Sequence, residues 1–136
     1  MWFIYALCSA ICAAMTSIFA KVGLQGVQSH LATAIRTIVV LVLAWGMVFL
    51  TQSHVGITSL DKKNWIFLIL SGCATGISWL CYYRALQLGD ISKVVPIDKL
   101  STVLTIVLGC IIFQEQVTLK ATIGIILMTS GIFLML

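Results

Sequence analysis

Arg36, Asp98 and Lys99 are the residues best placed to do chemistry, because each lies within or beside a long apolar run. At the centre of a membrane helix an ionised side chain costs roughly 2.5–3.5 kcal/mol on insertion scales, so it must be paired or face a polar cavity. The chemistry that follows is recognition rather than bond making. Arg36 and Lys99 favour an anionic or zwitterionic small molecule, and Asp98 is a candidate proton carrier. Pro96 adds to this: a proline one turn into a helix removes a backbone hydrogen bond and leaves a carbonyl free for a substrate or side chain. The stretch PIDKLS thus joins a kink, a carboxylate and an ammonium. The competing reading is that Asp98 pairs with Arg36 or Lys99 only to make burial tolerable.

Other polar residues group with these by helical spacing. Ser71, Thr75, Ser78 and Tyr82 fall on one face of a helix, as do Asp98, Thr102 and Thr105. Arg84, with Tyr82 and Tyr83 beside it, would close the same vestibule, and Trp79 would wall it. Packing competes with ligand contact at every such hydroxyl, since small residues are the usual glue of membrane helices; Gly72 and Gly76 form a GxxxG of this kind. Glu115 is a second candidate for proton coupling, against a solvated or capping role.

Several chemistries are absent. The chain has no phosphate-cradling glycine loop ending in Lys-Ser/Thr, no GxGxxG and no HExxH. Nucleotide-driven pumping within this chain is excluded, and His30 and His54, near a helix end and in a loop, do not suit a nucleophilic triad. No enzyme, cofactor, metal or nucleic-acid partner is expected. Cys8, Cys12, Cys73, Cys81 and Cys110 all fall in apolar runs, where a thiol behaves as a small hydrophobe, so no disulfide is expected.

The elements that must position these residues follow from composition. With 61% hydrophobic and 9% charged residues among 136, the chain cannot cover a soluble core, and its solvent is lipid. A spanning helix needs about 20 apolar residues. The uncharged runs 1–20, 37–60, 64–83, 100–113 and 121–136 therefore predict an all-α membrane protein of five helices, near 2–22, 29–50, 64–88, 92–113 and 118–136, in one transmembrane domain over 1–136. The first run is too long, and lacks the basic flank, for a secretory signal. The fourth is the weakest, since 99–115 covers only about 24 Å of a roughly 30 Å hydrocarbon core. The longest connection, 51–63, has the composition of a surface loop, and Leu88-Gly89-Asp90 reads as a glycine stop followed by an N-cap.

Five spans put the termini on opposite sides. The N-terminal side carries Lys62, Lys63 and Lys120, and the other carries Lys21, Arg84 and Lys93, with Arg36 and Lys99 deeper. So balanced a charge suits a chain that inserts in both orientations, and two opposed copies would form an inverted-repeat transporter body. Counting Arg36 and Lys99 as loop charges gives instead one fixed orientation.

The segment YYRALQLGDISKVVPIDKLSTVLTIVLGCIIFQEQVTLKATIGIILMTSGIFLML resembles the second half of an EamA-type domain of the drug/metabolite transporter superfamily. The shared features are an aromatic-x-x-Ala-Leu helix end, a helix with an early proline, a Gln-Glu before Val-Thr, and a last helix with Gly124 and Gly131. The second helix, with Arg36, is similar to that domain's Arg-containing second helix. Most members carry two such repeats in opposite orientations around a central pathway. The resemblance implies that this chain supplies one five-helix repeat and completes a ten-helix transporter as an antiparallel homodimer in the bilayer. The small multidrug resistance proteins are similar in scale, but they carry a carboxylate in helix one that this chain lacks, and PIDK replaces apolar residues after the family's proline.

The expected function is a secondary active transporter, an exporter of a small anionic or zwitterionic metabolite or drug. It would work by alternating access in a prokaryotic plasma (inner) membrane, with Arg36, Ser78, Trp79, Tyr82, Arg84, Asp98 and Lys99 around the substrate. The alternative is a flippase-like or accessory membrane subunit that handles a lipid-linked group.

Overall fold

The computed structural model describes residues 2–114 and 118–136. It consists of six helical segments, α1 (Trp2–Gly23), α2 (Ser29–Leu50), α3 (Lys62–Leu88), α4 (Ile91–Asp98), α5 (Leu100–Phe113) and α6 (Leu119–Leu134), with a 3₁₀ turn over Ser53–Ser59. Helix is what lipid demands of such apolar runs, because every backbone N–H and C=O must then be satisfied within its own segment. Among the described residues four spans are long and apolar enough to cross a membrane, the fourth being Ile91–Phe113, and α6 is a shorter apolar helix.

The fourth expected span is therefore two segments, α4 and α5, meeting at Lys99. Pro96 has no N–H to give the Ser92 carbonyl, and past it the Lys99 amide is shared between the Val95 carbonyl at 3.3 Å and the Pro96 carbonyl at 3.1 Å, while the Thr102 amide reaches the Lys99 carbonyl at 3.0 Å. The span still counts 23 residues, about 34 Å, because it starts at Ile91. The short helix is α6, with 16 residues and about 24 Å. Length is thus scarcest in the fifth span rather than the fourth.

Helix ends show how the connections form. Gly26, at φ +74°, takes the left-handed conformation that turns the chain between α1 and α2. α3 begins two residues earlier than expected, with Lys62 and Lys63 in its first turn, and the Asp61 carbonyl accepts from the Trp65 amide at 3.2 Å. Asp90 has the extended backbone of an N-cap, but its side chain makes no capping bond; its carbonyl receives the Lys93 and Val94 amides instead. At α6 the Thr118 hydroxyl does cap, accepting from the Ala121 amide at 3.3 Å. The expected loop 51–63 holds the 3₁₀ turn, introduced by a 2.8 Å contact between the Thr51 and Ser53 hydroxyls.

The chain forms two compact units, residues 1–87 and 88–136. In the first, Ala20, Leu24, Ser29, Thr33, Tyr83 and Leu86 are buried. All lie where α1 ends, α2 begins and α3 ends, so the core of this unit sits at that one end. In the second unit α5 contacts α6, and Ile132 of α6 is buried. Most of the remaining apolar surface is uncovered, as expected for helices whose solvent is lipid. The Gly72–Gly76 face is not used for packing among the described residues, since a Cβ on either glycine would meet nothing within 4 Å.

Candidate functional site

The first unit brings a charge and a ring together. Arg36 lies two turns into α2, roughly 10 Å from its start, and Tyr83 about a turn and a half, roughly 8 Å, from the end of α3. The guanidinium carbon of Arg36 stands 4.5 Å from the Tyr83 ring centroid, a cation–π contact. Arg36 is half-buried and Tyr83 buried. Residues 1–87 contain one carboxylate, Asp61, which precedes α3 at its opposite end. Burial of Arg36 is thus made tolerable by a π face.

Three ties from α3 to α1 and the turn after it frame this contact. The Lys21 ammonium donates to the Leu86 carbonyl. That carbonyl is one of the last four of α3, which have no partner within the helix, and a cation there also meets the negative end of the helix dipole. Gln87 donates through Nε2 to the Val27 carbonyl and, at 3.4 Å, to the Leu24 carbonyl, holding the α1–α2 turn. The hydroxyls of Ser17 and Tyr82 share a 2.8 Å hydrogen bond.

Between these elements lies a cavity of about 420 Å³, lined by Thr16, Phe19, Ala20, Gly23, Leu24, Val27, Ala32, Ile35, Arg36 and Tyr83. Its volume is within the usual range for a small-molecule site. The wall is aliphatic and aromatic except for the Thr16 hydroxyl, the guanidinium and the tyrosine.

The other residues singled out by sequence lie elsewhere. Ser78, Trp79, Tyr82 and Arg84 are not in the cavity lining. Helix geometry gives the reason: successive residues are about 100° apart, so with Tyr83 turned inward its neighbours flank it. Tyr82 turns to Ser17, and exposed Arg84 donates to the Gln87 Oε1 at 3.2 Å. Trp79 is half-buried and Ser78 exposed. Thr75 returns its hydroxyl to the Ser71 carbonyl of its own helix, at 2.9 Å.

In the second unit Asp98 and Lys99 pair with each other, Nζ to Oδ2 3.6 Å. The Asp98 carbonyl, set beside the break in the ladder, accepts the Ser101 hydroxyl at 2.7 Å, and Thr105 bonds the Ser101 carbonyl at 2.8 Å. Half-buried Pro96 lies one turn before this break. Glu115 falls outside the described residues.

Sequence reasoning missed Ser17, Lys21 and Gln87, and placed Tyr83 only as a neighbour of Arg84. For Lys21 and Gln87 a signal exists: a long polar side chain at a helix end, with orphan carbonyls in reach.

The whole chain, residues 1–136, matches the EamA-like transporter family. The chain belongs to that family. A protein of a Sinorhizobium species described as an uncharacterized transporter in the cobO 3′ region is 41% identical over 134 residues, covering 98% of this chain and 95% of that one. An uncharacterized protein of Methanocaldococcus jannaschii is 35% identical over 75 residues, 55% of each chain. No solved structure matches. As an EamA-like protein of the drug/metabolite transporter superfamily, the chain is an integral, multi-pass membrane transporter. The family is one of transporters rather than enzymes, and it puts the Arg36 cavity in a chain whose task is to move a solute.

Proposed function

We propose that the protein is a secondary transporter that exports a small anionic or zwitterionic metabolite or drug across a prokaryotic plasma membrane by alternating access, as an antiparallel homodimer of dual topology. The observation that carries this reading is the Arg36 guanidinium over the Tyr83 ring at the wall of a cavity of about 420 Å³. A guanidinium there, with no carboxylate in the lining, attracts negative charge into an otherwise apolar space. Balanced loop charges support insertion in both orientations. The open Gly72–Gly76 face leaves room for a second copy. Asp98 and Glu115 are the carboxylates proposed for proton coupling, with Pro96 as the hinge of the span that carries Asp98.

The test is uptake of labelled organic anions and zwitterions by proteoliposomes under an imposed pH gradient. Substrate-dependent transport that falls with Arg36→Gln and loses its response to the gradient with Asp98→Asn supports the reading. Transport unchanged in both variants sinks the site.

A second reading has one observation in its favour. Lys21, Arg36 and Arg84 put three cations near one end of the first unit without an acidic residue among them. Such an end also suits the phosphate of a lipid-linked group, handled by this chain as a flippase-like subunit. Recovery of the protein from native membranes only in hetero-complexes favours it.

A further inference from the structure

The transporter reading leaves the ligand open between anion and zwitterion, and the chemistry of the cavity wall narrows that choice. We propose that the cavity of α1–α3 binds a monoanion with an apolar body, the anionic group on Arg36 and the body against Phe19, Leu24, Val27 and Ile35.

The guanidinium supplies the first half of the argument. Its five N–H donors lie in one plane, and its carbon sits over the Tyr83 ring, 4.5 Å from the centroid. An aromatic face holds the charge without the lone pairs that these donors take, so a planar or tetrahedral anion can still accept a forked pair of bonds from them. Tyr83 is itself buried, so the ring that orients Arg36 is fixed.

The lining supplies the second half. It holds one cation and no carboxylate, and Asp61, the only carboxylate of residues 1–87, precedes α3 at its opposite end. The ammonium of a zwitterion or organic cation would lose its water here and find no counter-charge, which is the costly case for burial. A second negative charge on the ligand would meet the same difficulty. The remainder of the wall is hydrocarbon, and its favourable contacts go to an apolar body. Two sources share this chemistry, a lipid phosphate and a soluble organic acid.

This inference rests on the transporter reading only in taking the cavity as the solute's, so it is tested by binding rather than by flux. The purified protein in phosphatidylcholine nanodiscs is titrated with 2-naphthoate, 2-naphthalenemethanol and 2-naphthylmethylammonium, and binding to empty discs is subtracted. The expected order is carboxylate over alcohol by at least tenfold, with the ammonium weakest. Arg36→Gln should bring the carboxylate to the level of the alcohol and leave the alcohol within about twofold. The ranking on the unaltered protein decides the matter should that variant misfold. Discs doped with phosphatidic acid separate the sources: loss of naphthoate binding assigns the anion to a lipid headgroup, unchanged binding to a soluble acid, and either supports the class. A protein that binds in this order but moves no solute keeps the ligand class and loses the transporter. Equal affinities for the three probes, or tightest binding of the ammonium, overturn the proposal even where transport is intact.

Discussion

The Arg36 guanidinium carbon lies 4.5 Å from the centre of the Tyr83 ring, so a charge on α2 is held by the face of an aromatic residue on α3. The ring does two things at once: it fills the core at the end of the first unit and it fixes where the positive charge points. Tyr83→Phe keeps the ring and should cost the detergent-purified protein no more than one hydroxyl's interaction, about 0.5–1.5 kcal/mol. Tyr83→Leu removes both the π face and part of the buried volume and should cost about 2 kcal/mol or more. Thermal unfolding followed by tryptophan fluorescence checks the pair; equal losses in the two variants would mean that the ring is not what holds Arg36.

Gln87 is the tie between α3 and the α1–α2 turn, through the Leu24 and Val27 carbonyls. Gln87→Ala leaves both carbonyls without this donor and should destabilise the turn by about 1 kcal/mol. Hydrogen exchange localises the effect: amides of residues 24–28 should exchange faster in the variant, while those in the middle of α3 stay as protected as before. A uniform change along the chain would contradict the assignment.

Ser17 and Tyr82 share one hydrogen bond at 2.8 Å, so either side chain alone can remove it. Ser17→Ala and Tyr82→Phe should each cost about 0.5–1.5 kcal/mol. The double variant should cost little more than either, giving a coupling energy of about 0.5–1 kcal/mol in a double-mutant cycle. Strict additivity in chemical denaturation would show that the two hydroxyls act separately.

How much of this arrangement can be read from sequence differs between fold and site, for a physical reason. The bilayer sets helix length, so apolar runs alone predict 2–22 and 29–50 where the structure has Trp2–Gly23 and Ser29–Leu50. Pro96 announces the interruption of the fourth span because a missing N–H is a property of the residue itself. Rotation about the helix axis is different. α3 is apolar on most sides, since lipid takes whatever face the protein does not, and its hydroxyl stripe of Ser71, Thr75, Ser78 and Tyr82 points to Tyr82, whereas Tyr83 is the ring in the cavity lining. The choice between them is made by packing against α1 and α2. For the same reason Lys21 reads in the sequence as one more loop charge, although its ammonium satisfies the Leu86 carbonyl.

Asp98 and Lys99 pair at 3.6 Å beside the break between α4 and α5. In a bilayer one charge without its partner is worse than none. Asp98→Asn or Lys99→Gln alone should lower the yield of folded, inserted protein, each leaving an ion whose burial costs roughly 2.5–3.5 kcal/mol. The double variant should recover most of that yield, because no lone ion remains. Fluorescence size-exclusion of tagged membranes measures the yield. A double variant as poor as the worse single one would show that the pair is not what makes these charges tolerable.

With the five expected spans crossing the membrane, Lys62 and Lys63, in the first turn of α3, would carry most of the positive charge on the N-terminal side, with Lys120 the remaining cation there. Removing both with Lys62→Gln/Lys63→Gln leaves one cation on that side against Lys21, Arg84 and Lys93 on the other. Positive charge is retained in the cytoplasm, so the variant should insert with its N-terminus outside and its C-terminus inside, whereas the parent should show both arrangements. Tags at the termini, probed with an impermeant label in intact cells, read this directly. Transport should fall with the variant alone, because antiparallel pairs can no longer form, and return when it is co-expressed with Arg84→Gln/Lys93→Gln, whose bias is opposite. A parent chain labelled at only one terminus would remove the antiparallel homodimer, and a fixed-orientation variant that transports as well as the parent would show that opposed copies are not required.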